Sequence, residues 1–594
     1  EKDQLGIEDH TIYLINELGQ YEVLNQDLSG LDMAEEIKEV PTELDVIVQE
    51  INHLHQQEGI AAVAQPWLPP LKERITLDEL DKVVPIEAWQ KRTAPSVLIG
   101  VADIPQAQKQ EAVAIDLSKD GNILLYGSPG TGKTTFLQTA AMDLARKQSP
   151  ENLTMYLLDF GTNGLAPLTQ LPHVADSLLL DQTEKIQKFI RIINRELDRR
   201  KKLLSEHGVG TIALYREVTG KQEPTMVILM DSYESMKDEP YETDLFKLFM
   251  RISREGLSIG VHLIITASRQ NNLRAQLYSN FKHQLTLPQN DISEVRGIVG
   301  ATPLAATMED IKGRALMKRD EVDVVQFALP VAGDNDIQII NNLRDQVQSL
   351  KEMWTGQTPA GIPMVPDELT IQNFMSMPTT RKVIEDHQLP VGLELEEVET
   401  IGLPMKKLKH LMLLSDKDSS LSLVTKHMIR TVVETVSGHK VTILDPTDEY
   451  KTFVASVNNY VPSTSDFKSV IEQLKEQVHY ARQNGGDFEH YIFITDMGQF
   501  VSESGVETND IGLLMEEGLK VGLHFVFSMH KNFISAYNDT AKYLKSQLDT
   551  ALIAMKMSDQ TIFTRTSIGR EEALPEDQVY LHYQASQTKL KITK

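Results

Sequence analysis

Cysteine is absent from all 594 residues. That excludes disulfides and thiolate metal sites and fits a reducing compartment. Long apolar runs are missing too. None approaches the roughly eighteen residues that cross a bilayer, so this stretch is expected to be soluble. The first residues, Glu1-Lys2-Asp3, lack an initiator Met and any secretory leader, which suits a fragment cut from a longer protein. Basic residues are in deficit, 59 Lys and Arg against 85 Asp and Glu, for a net charge of −26. Such a surface is a poor generic partner for a polyanion, although a local basic channel stays open.

What is present reads as ordinary globular protein, with 41% hydrophobic and 24% charged residues. The length calls for two to four domains. An internal repeat of long period organises them. One module runs from Val97-Leu98-Ile99-Gly100-Val101 to the strand Asn122–Tyr126, and a second from Pro390-Val391-Gly392-Leu393 to His410–Leu414. The same apolar runs follow in both: Met155–Asp159 matches Val441–Asp445, Met226–Asp231 matches Tyr491–Asp496, and Gly260–Ile265 matches Gly522–Phe527. Module ends repeat as well. A helix from Asp336 to Trp354 precedes Ile362-Pro363-Met364-Val365-Pro366. A helix from Leu44 to Gln57 precedes Gln65-Pro66-Trp67-Leu68-Pro69-Pro70.

The opening stretch, with strand-like runs at Thr11–Ile15 and Tyr21–Leu24, reads as the tail of a truncated preceding module. The expected division is therefore 1–84 (that tail and a connector), 85–375 and 376–594. Short buried-looking strands alternating with helices predict an α/β fold, with tandem, mainly parallel sheets covered by helices on both faces. The clearest helix spans Thr183 to His207, with Asp181 and Glu184 spaced as a capping box. Its Arg199-Arg200-Lys201-Lys202 run reads as a solvated face rather than a phosphate patch.

Gly127-Ser128-Pro129-Gly130-Thr131-Gly132-Lys133-Thr134 satisfies G-x-x-x-x-G-K-[ST] in full. A strand precedes it and a helix opens at Thr135-Phe136-Leu137. The glycines let backbone N–H groups turn inward around phosphate oxygens, and the helix N-terminus adds positive potential. Lys133 is expected on the β- and γ-phosphates of ATP, and the Thr134 hydroxyl on Mg²⁺. Asp231, ending its apolar run, is the candidate second Mg²⁺ ligand and catalytic carboxylate. The next residue is Ser232, where a water-activating Glu is common, and Glu234 is the nearby substitute. Thr266 or Ser268 is placed either to sense the γ-phosphate or simply to end a strand. Arg254, or Arg251, is placed either as an arginine finger for a neighbouring subunit or as a helix-surface ion pair. Where the second module should carry its loop it reads Leu414-Ser415-Asp416-Lys417-Asp418-Ser419-Ser420-Leu421-Ser422. Without glycine the phosphate nest does not form in its usual shape, and Asp416 and Asp418 repel phosphate. Asp496 is expected to remain on its strand.

These features resemble the EssC/EccC ATPases of bacterial type VII secretion, within the FtsK/HerA branch of P-loop motors. The resemblance rests on Gly127–Thr134, Gly260–Thr266, Pro66–Pro70 and the tandem modules with a degenerate last loop, and the Firmicute EssC form is the nearer one. It implies the cytoplasmic part of a membrane-anchored motor or regulator that exports small WXG-motif proteins. Implied partners are these cargoes, other membrane components of the machine, and further copies in a hexamer, with no nucleic acid expected. The rival readings are an FtsK/HerA-like DNA translocase and a non-hydrolysing ATP-dependent scaffold.

Lys133→Ala should weaken ATP binding, whereas Ala at Ser422, the residue aligned with Lys133, should leave it unchanged. Isothermal titration of both variants decides the assignment; an undiminished affinity in Lys133→Ala would refute it.

Overall fold

A computed structural model describes residues 12–24, 41–61, 67–436, 440–486, 489–566 and 569–594. By packing, the chain divides into one unit of residues 1–70 with 105–109 and a second formed by the remainder.

In the first unit an antiparallel hairpin pairs β1 (Tyr13–Ile15) with β2 (Tyr21–Val23). Helix α1 (Glu43–Gln57) starts at a capping box between Thr42 and Asp45. Thr11, Gln65 and Pro66, parts of the expected strand and connector, lie outside the described residues.

The second unit holds two ten-stranded sheets. The first contains β3 (Ser96–Ile104), β4 (Lys109–Asp116), β5 (Ile123–Tyr126), β6 (Leu153–Asp159), β7 (Val174–Leu179), β8 (Thr225–Asp231), β9 (Val261–Ala267), β10 (His283–Thr286), β11 (Arg314–Lys318) and β12 (Val322–Phe327). Their order is β4-β3-β12-β11-β10-β5-β9-β8-β6-β7. The second contains β13 (Gln388–Glu394), β14 (Thr400–Pro404), β15 (Leu411–Ser415), β16 (Lys440–Leu444), β17 (Asn459–Val461), β18 (His490–Ile494), β19 (Leu523–His530), β20 (Ala551–Ile553), β21 (Gln578–Tyr583) and β22 (Ser586–Lys591). Its order, β14-β13-β22-β21-β20-β15-β19-β18-β16-β17, is the same one. In each sheet the stretch from the β10 or β20 position to the β7 or β17 position is parallel. Hairpins extend the other side as an antiparallel arm.

Continuous apolar strands are what burial on both faces demands. Along β5, Ile123 and Leu125 face α2 (Lys133–Lys147), joining Phe136, Leu137 and Leu144. Leu124 and Tyr126 face the other way, toward Phe189 and Phe249 of α3 (Thr183–Glu206) and α4 (Glu242–Ile259). The strand period of two thus sends alternate residues into two separate cores. β5 lies between β10 and β9, yet the chain next builds β6, three strands away. Ligands in such sheets bind at the carboxyl ends of the strands, where connections diverge in this way.

Two local expectations fail. The capping box of Asp181 with Glu184 does not form: the N-cap of α3 is Gln182, with no side-chain cap bond. Arg200 is not solvated either. It is 1% exposed, donating to Glu196 and to the carbonyls of Ile259 and Pro224, while Arg199 forks onto Glu196 and Glu223. A helix packed between a sheet and a neighbouring helix buries even a basic residue when carboxylates and carbonyls meet its donors.

One face of α3 also grips the second sheet. Lys188 Nζ donates to the carbonyls of Pro363 and Glu396 at 2.6 and 3.1 Å and to that of Leu395. Arg191 pairs with both carboxylate oxygens of Glu396, and Arg195 with Glu397. Apart from Pro363, in the segment before β13, these acceptors sit in the turn between β13 and β14.

Five histidines, His173, His262, His410, His427 and His490, are held neutral by burial, each pushed down to about 4 from 6.5. Between those values the unfolded chain binds protons that the folded chain refuses, so stability is complete above pH 6.5 and is lost as pH falls toward 4. Calorimetry should show a thermal midpoint that falls across that window with proton uptake on unfolding. A flat midpoint from pH 7 to 5 contradicts this.

Candidate functional site

The loop after β5 is built by close approach. Gly127 N–H donates to Ala267 O at 3.2 Å and Ser128 N–H to Pro288 O at 3.0 Å, pinning the loop to its neighbouring strand ends. Gly130 and Gly132 take φ of +78° and +112°, values that favour glycine. A Cβ at Gly132 would sit 3.1 Å from the Gly313 nitrogen, and Gly313 N–H donates to Thr131 O at 2.9 Å. Helix α2 starts at Lys133, so its N-terminal N–H groups point into the loop. Lys133 Nζ folds over the loop, donating to the carbonyls of Gly127 and Ser128 at 2.6 and 3.1 Å. Burial lowers its pKa, against the opposing fields of Glu234 and Asp231.

Asp231 is 2% exposed at the end of β8. Thr134 Oγ1 donates to its Oδ2 at 2.7 Å and Thr266 Oγ1 to its Oδ1 at 2.7 Å. The Thr266 hydroxyl in turn accepts from Ser232 N–H at 3.0 Å, where Ser232 takes φ +64°. One carboxylate therefore ties together two strand ends and the helix. Ser268 is occupied differently, donating from Oγ and N–H to the two carboxylate oxygens of Glu234 at 2.6 and 3.2 Å. A hydroxyl and a carboxylate already in contact offer two hard oxygen ligands of the kind Mg²⁺ takes. Among the described residues no group of three or more His, Asp or Glu gathers into a metal cage. The remaining ligands would have to be phosphate oxygens and water, which is how Mg²⁺ is held in P-loop sites.

Sequence reasoning missed the loop after β6. Asp159 is opposite Asp231 in register. Burial raises its carboxyl pKa, as does Asp231, against a hydrogen bond from Leu165 N–H. The following glycines leave room for the site: a Cβ at Gly164 would come within 2.1 Å of Thr134 Cγ2, and one at Gly161 within 3.0 Å of Asp231 Oδ2. The signal lay in the Asp159-Phe160-Gly161-Thr162-Asn163-Gly164 run, but nothing local linked it to Thr134.

The two arginines separate. Arg251 is committed to Asp198, Glu255 and Asn194. Arg254 is exposed. It lies twelve residues after the first residue of α4, hence about 18 Å down a helix whose start is at the ligand edge. It does not reach this site within the same chain.

In the second module the loop is replaced. Helix α6 (Asp418–Thr435) begins three residues after β15 ends. Ser415 Oγ donates to Ala554 O and accepts from Lys417 N–H, closing the gap. Ser422 lies within the helix. Strand pairing also corrects the expected correspondence. Ile123 pairs with Ile264 as Leu411 pairs with Val526, and Asp159 opposes Asp231 as Leu444 opposes Ile494 one residue before Asp445. The counterparts of Asp231 and Lys133 are then Thr495 and Leu421, one residue before Asp496 and Ser422. Asp496 is not on the strand at all. It caps α7 (Met497–Ser504), accepting from Gln499 N–H at 3.0 Å. Asp445, the counterpart of Asp159, is saturated by Thr447, Tyr450, Tyr460 and Thr495. Both acids have become structural.

Residues 86–313 match the FtsK/SpoIIIE family. The chain is 34% identical, over 98% of its length, to type VII secretion system protein EssC of Staphylococcus aureus (strain MSSA476), covering 39% of that protein. It is 29% identical, over 88% of its length, to ESX secretion system protein YukB of Bacillus subtilis (strain 168), covering 35%. It thus spans well under half of these curated relatives. Among solved structures, EssC (ATPases 2 and 3) from Geobacillus thermodenitrificans matches with TM-score 0.78 at 26% identity, over 89% of this chain and 100% of that one. Thermomonospora curvata EccC (ATPases 2 and 3), in complex with a signal sequence peptide, shares the fold at 20% identity and TM-score 0.54, over 89% and 99%.

Gly164→Ala should drive Thr134 off Asp231 and weaken Mg-ATP binding at least about tenfold, an overpacking cost in the usual range. Gly210→Ala, which meets nothing within 4 Å, should bind as the parent does. Titration calorimetry on the pair separates a local clash from a general glycine effect.

Proposed function

The chain is of the EssC/EccC type, homologous along its length to the Firmicute form, and on that premise we propose that its first full module binds and hydrolyses ATP to drive protein export. The observation that carries this is the chain of contacts from Thr134 through Asp231 to Thr266 beneath a glycine-built loop. In this reading Gly127, Ser128, Pro129, Gly130, Thr131, Gly132, Lys133, Thr134 and Thr135 hold the nucleotide. Thr134 and Asp231 hold Mg²⁺, which draws charge off the β- and γ-phosphates. Lys133, released from its loop carbonyls, meets the same phosphates. Glu234, bonded to Ser268 and felt by Lys133, orients the attacking water from the γ side in place of a Glu after Asp231. Arg254, exposed and far from its own site, serves a neighbouring copy in a hexamer.

The modules divide as 1–84, 85–375 and 376–594, the first being the end of a preceding ATPase module. The last module keeps the fold without nucleotide. No helix among the described residues is long and apolar enough to cross a membrane. In this reading the chain is the cytoplasmic part of a membrane-anchored protein. The cargoes are small WXG-motif proteins, and membrane components of the secretion machine are further partners. The charge of −26 weighs against a DNA substrate. A tight, salt-sensitive duplex complex in a gel shift would restore that reading.

Asp231→Asn should cut ATP turnover by about a hundredfold or more, as expected for a lost metal ligand, while nucleotide affinity without Mg²⁺ changes little. Steady-state phosphate release with and without Mg²⁺ reads both. Tight ATP binding with no turnover, even in the assembled oligomer with cargo, would leave the scaffold reading in place of the motor.

A further inference from the structure

Asp159 belongs to the site, and the reading above gives it no task. It ends β6, is 4% exposed, and stands opposite Asp231 across the parallel strand pair. Leu157 and Leu229, two residues earlier on each strand, pack in the core against α2. The strand period of two therefore puts both aspartates on that face, where Thr134 already meets Asp231. The two oxygens of Asp159 are treated unequally. Oδ2 accepts from Leu165 N–H at 3.2 Å. Among the described residues no donor reaches Oδ1, which is buried. The loop fixes this arrangement. Leu165 and Leu168 belong to one core with Leu343 and Val347 of α5 (Asp336–Met353), and Gln138 Nε2 of α2 donates to Gly164 O at 2.7 Å.

The second module shows what filling that oxygen takes. Oδ1 of Asp445, the counterpart of Asp159, accepts from Thr495 Oγ1 at 2.8 Å and from Thr447 N–H and Oγ1 at 3.1 and 2.8 Å. Its Oδ2 accepts from Tyr450 N–H at 2.9 Å and Tyr460 OH at 2.7 Å. Thr495 stands where the first module has Asp231. A hydroxyl that donates is thus exchanged for a carboxylate that, when ionised, only accepts. Two buried acids side by side need a positive or donating group to serve both. At Oδ1 of Asp159 no described residue supplies one.

We propose that Asp159 is a positioning residue for the metal of this site: its Oδ1 accepts a hydrogen bond from water in the hydration shell of Mg²⁺, leaving direct ligation to Thr134 and Asp231. The proposal rests on the reading that those two residues hold Mg²⁺. Mg²⁺ gives up water reluctantly and keeps several molecules in phosphate sites, and the charge of the ion makes each of them a strong donor. A buried acceptor without a protein donor, next to the metal carboxylate, suits such a water. Partners of this outer kind commonly set roughly ten- to hundredfold of metal affinity. In the second module the same aspartate gives both oxygens to the fold, and the glycine loop is gone with the task.

The test uses the 594-residue chain and titrates ATP with saturating Mg²⁺, then again with EDTA in place of the metal. Asp159→Asn gives Asp231 a donor, as Thr495 gives Asp445, so the thermal midpoint without ligand should match or exceed the parent's. Mg-ATP should nonetheless bind roughly tenfold more weakly, and metal-free ATP as it does to the parent. Asp159→Ser, which removes the oxygen and adds no amide, should show the same split. Asp445→Asn should lower the thermal midpoint and leave both affinities unchanged; a fall in Mg-ATP affinity there would show an effect that is not local to the site and counts against the proposal. Equal Mg-ATP affinity in the parent and both Asp159 variants overturns the proposal, since the oxygen then serves no metal. Parallel loss of Mg-ATP and metal-free ATP overturns it too, being the mark of a merely structural acid. Asp231→Asn binding Mg-ATP as tightly as the parent instead overturns the metal reading beneath it.

Discussion

Asp231 is a charge held in the interior, and the site is arranged around keeping it satisfied. A buried carboxylate is tolerable only with donors on both oxygens. Here the donors are two threonine hydroxyls, one from the helix behind the glycine loop and one from the neighbouring strand. The same bonds that make the ion affordable therefore fix the distance between loop, strand β8 and strand β9. Glycines at 161 and 164 follow from this, because any larger residue would displace the partners of that carboxylate.

The second module is the natural control. It repeats the ten-strand order without the loop, and each polar position has been converted to internal use: Ser415 closes the strand-to-helix step, Asp445 collects four hydrogen-bonding residues, and Asp496 caps a helix. The sheet and its two cores need no phosphate site. Apolar strands and helix faces specify the architecture, and the site is an addition made at the strand ends, where polar groups are otherwise costly.

Much of this was legible in the residues. Long apolar runs placed the parallel strands and the repeat, since strands buried on both faces must be apolar throughout. The glycine-lysine-threonine pattern gave the loop because its backbone conformations leave few alternatives. What escaped were matters of one residue or of distant partners. The apolar runs alone make Asp496 the counterpart of Asp231, whereas inter-strand pairing puts Thr495 there; an apolar run carries no mark of its register. Asp181 and Glu184 had the right spacing for a capping box, yet the turn before α3 starts the helix from Gln182 instead. Arg200 looked like surface because burial of a cation depends on acceptors 24 and 59 residues away. Gly164 gave no local sign, since it matters only through Thr134, thirty residues away in the chain.

Lys188, Arg191 and Arg195 recur along one stripe of α3, and all three hold the turn after β13. At 24 residues α3 is about 36 Å long, and it starts from the edge of the sheet where β8 presents Asp231. The three grips run from its second turn to its middle. The module whose loop is replaced is thus fastened by three basic side chains to a helix that starts at the edge where Asp231 sits.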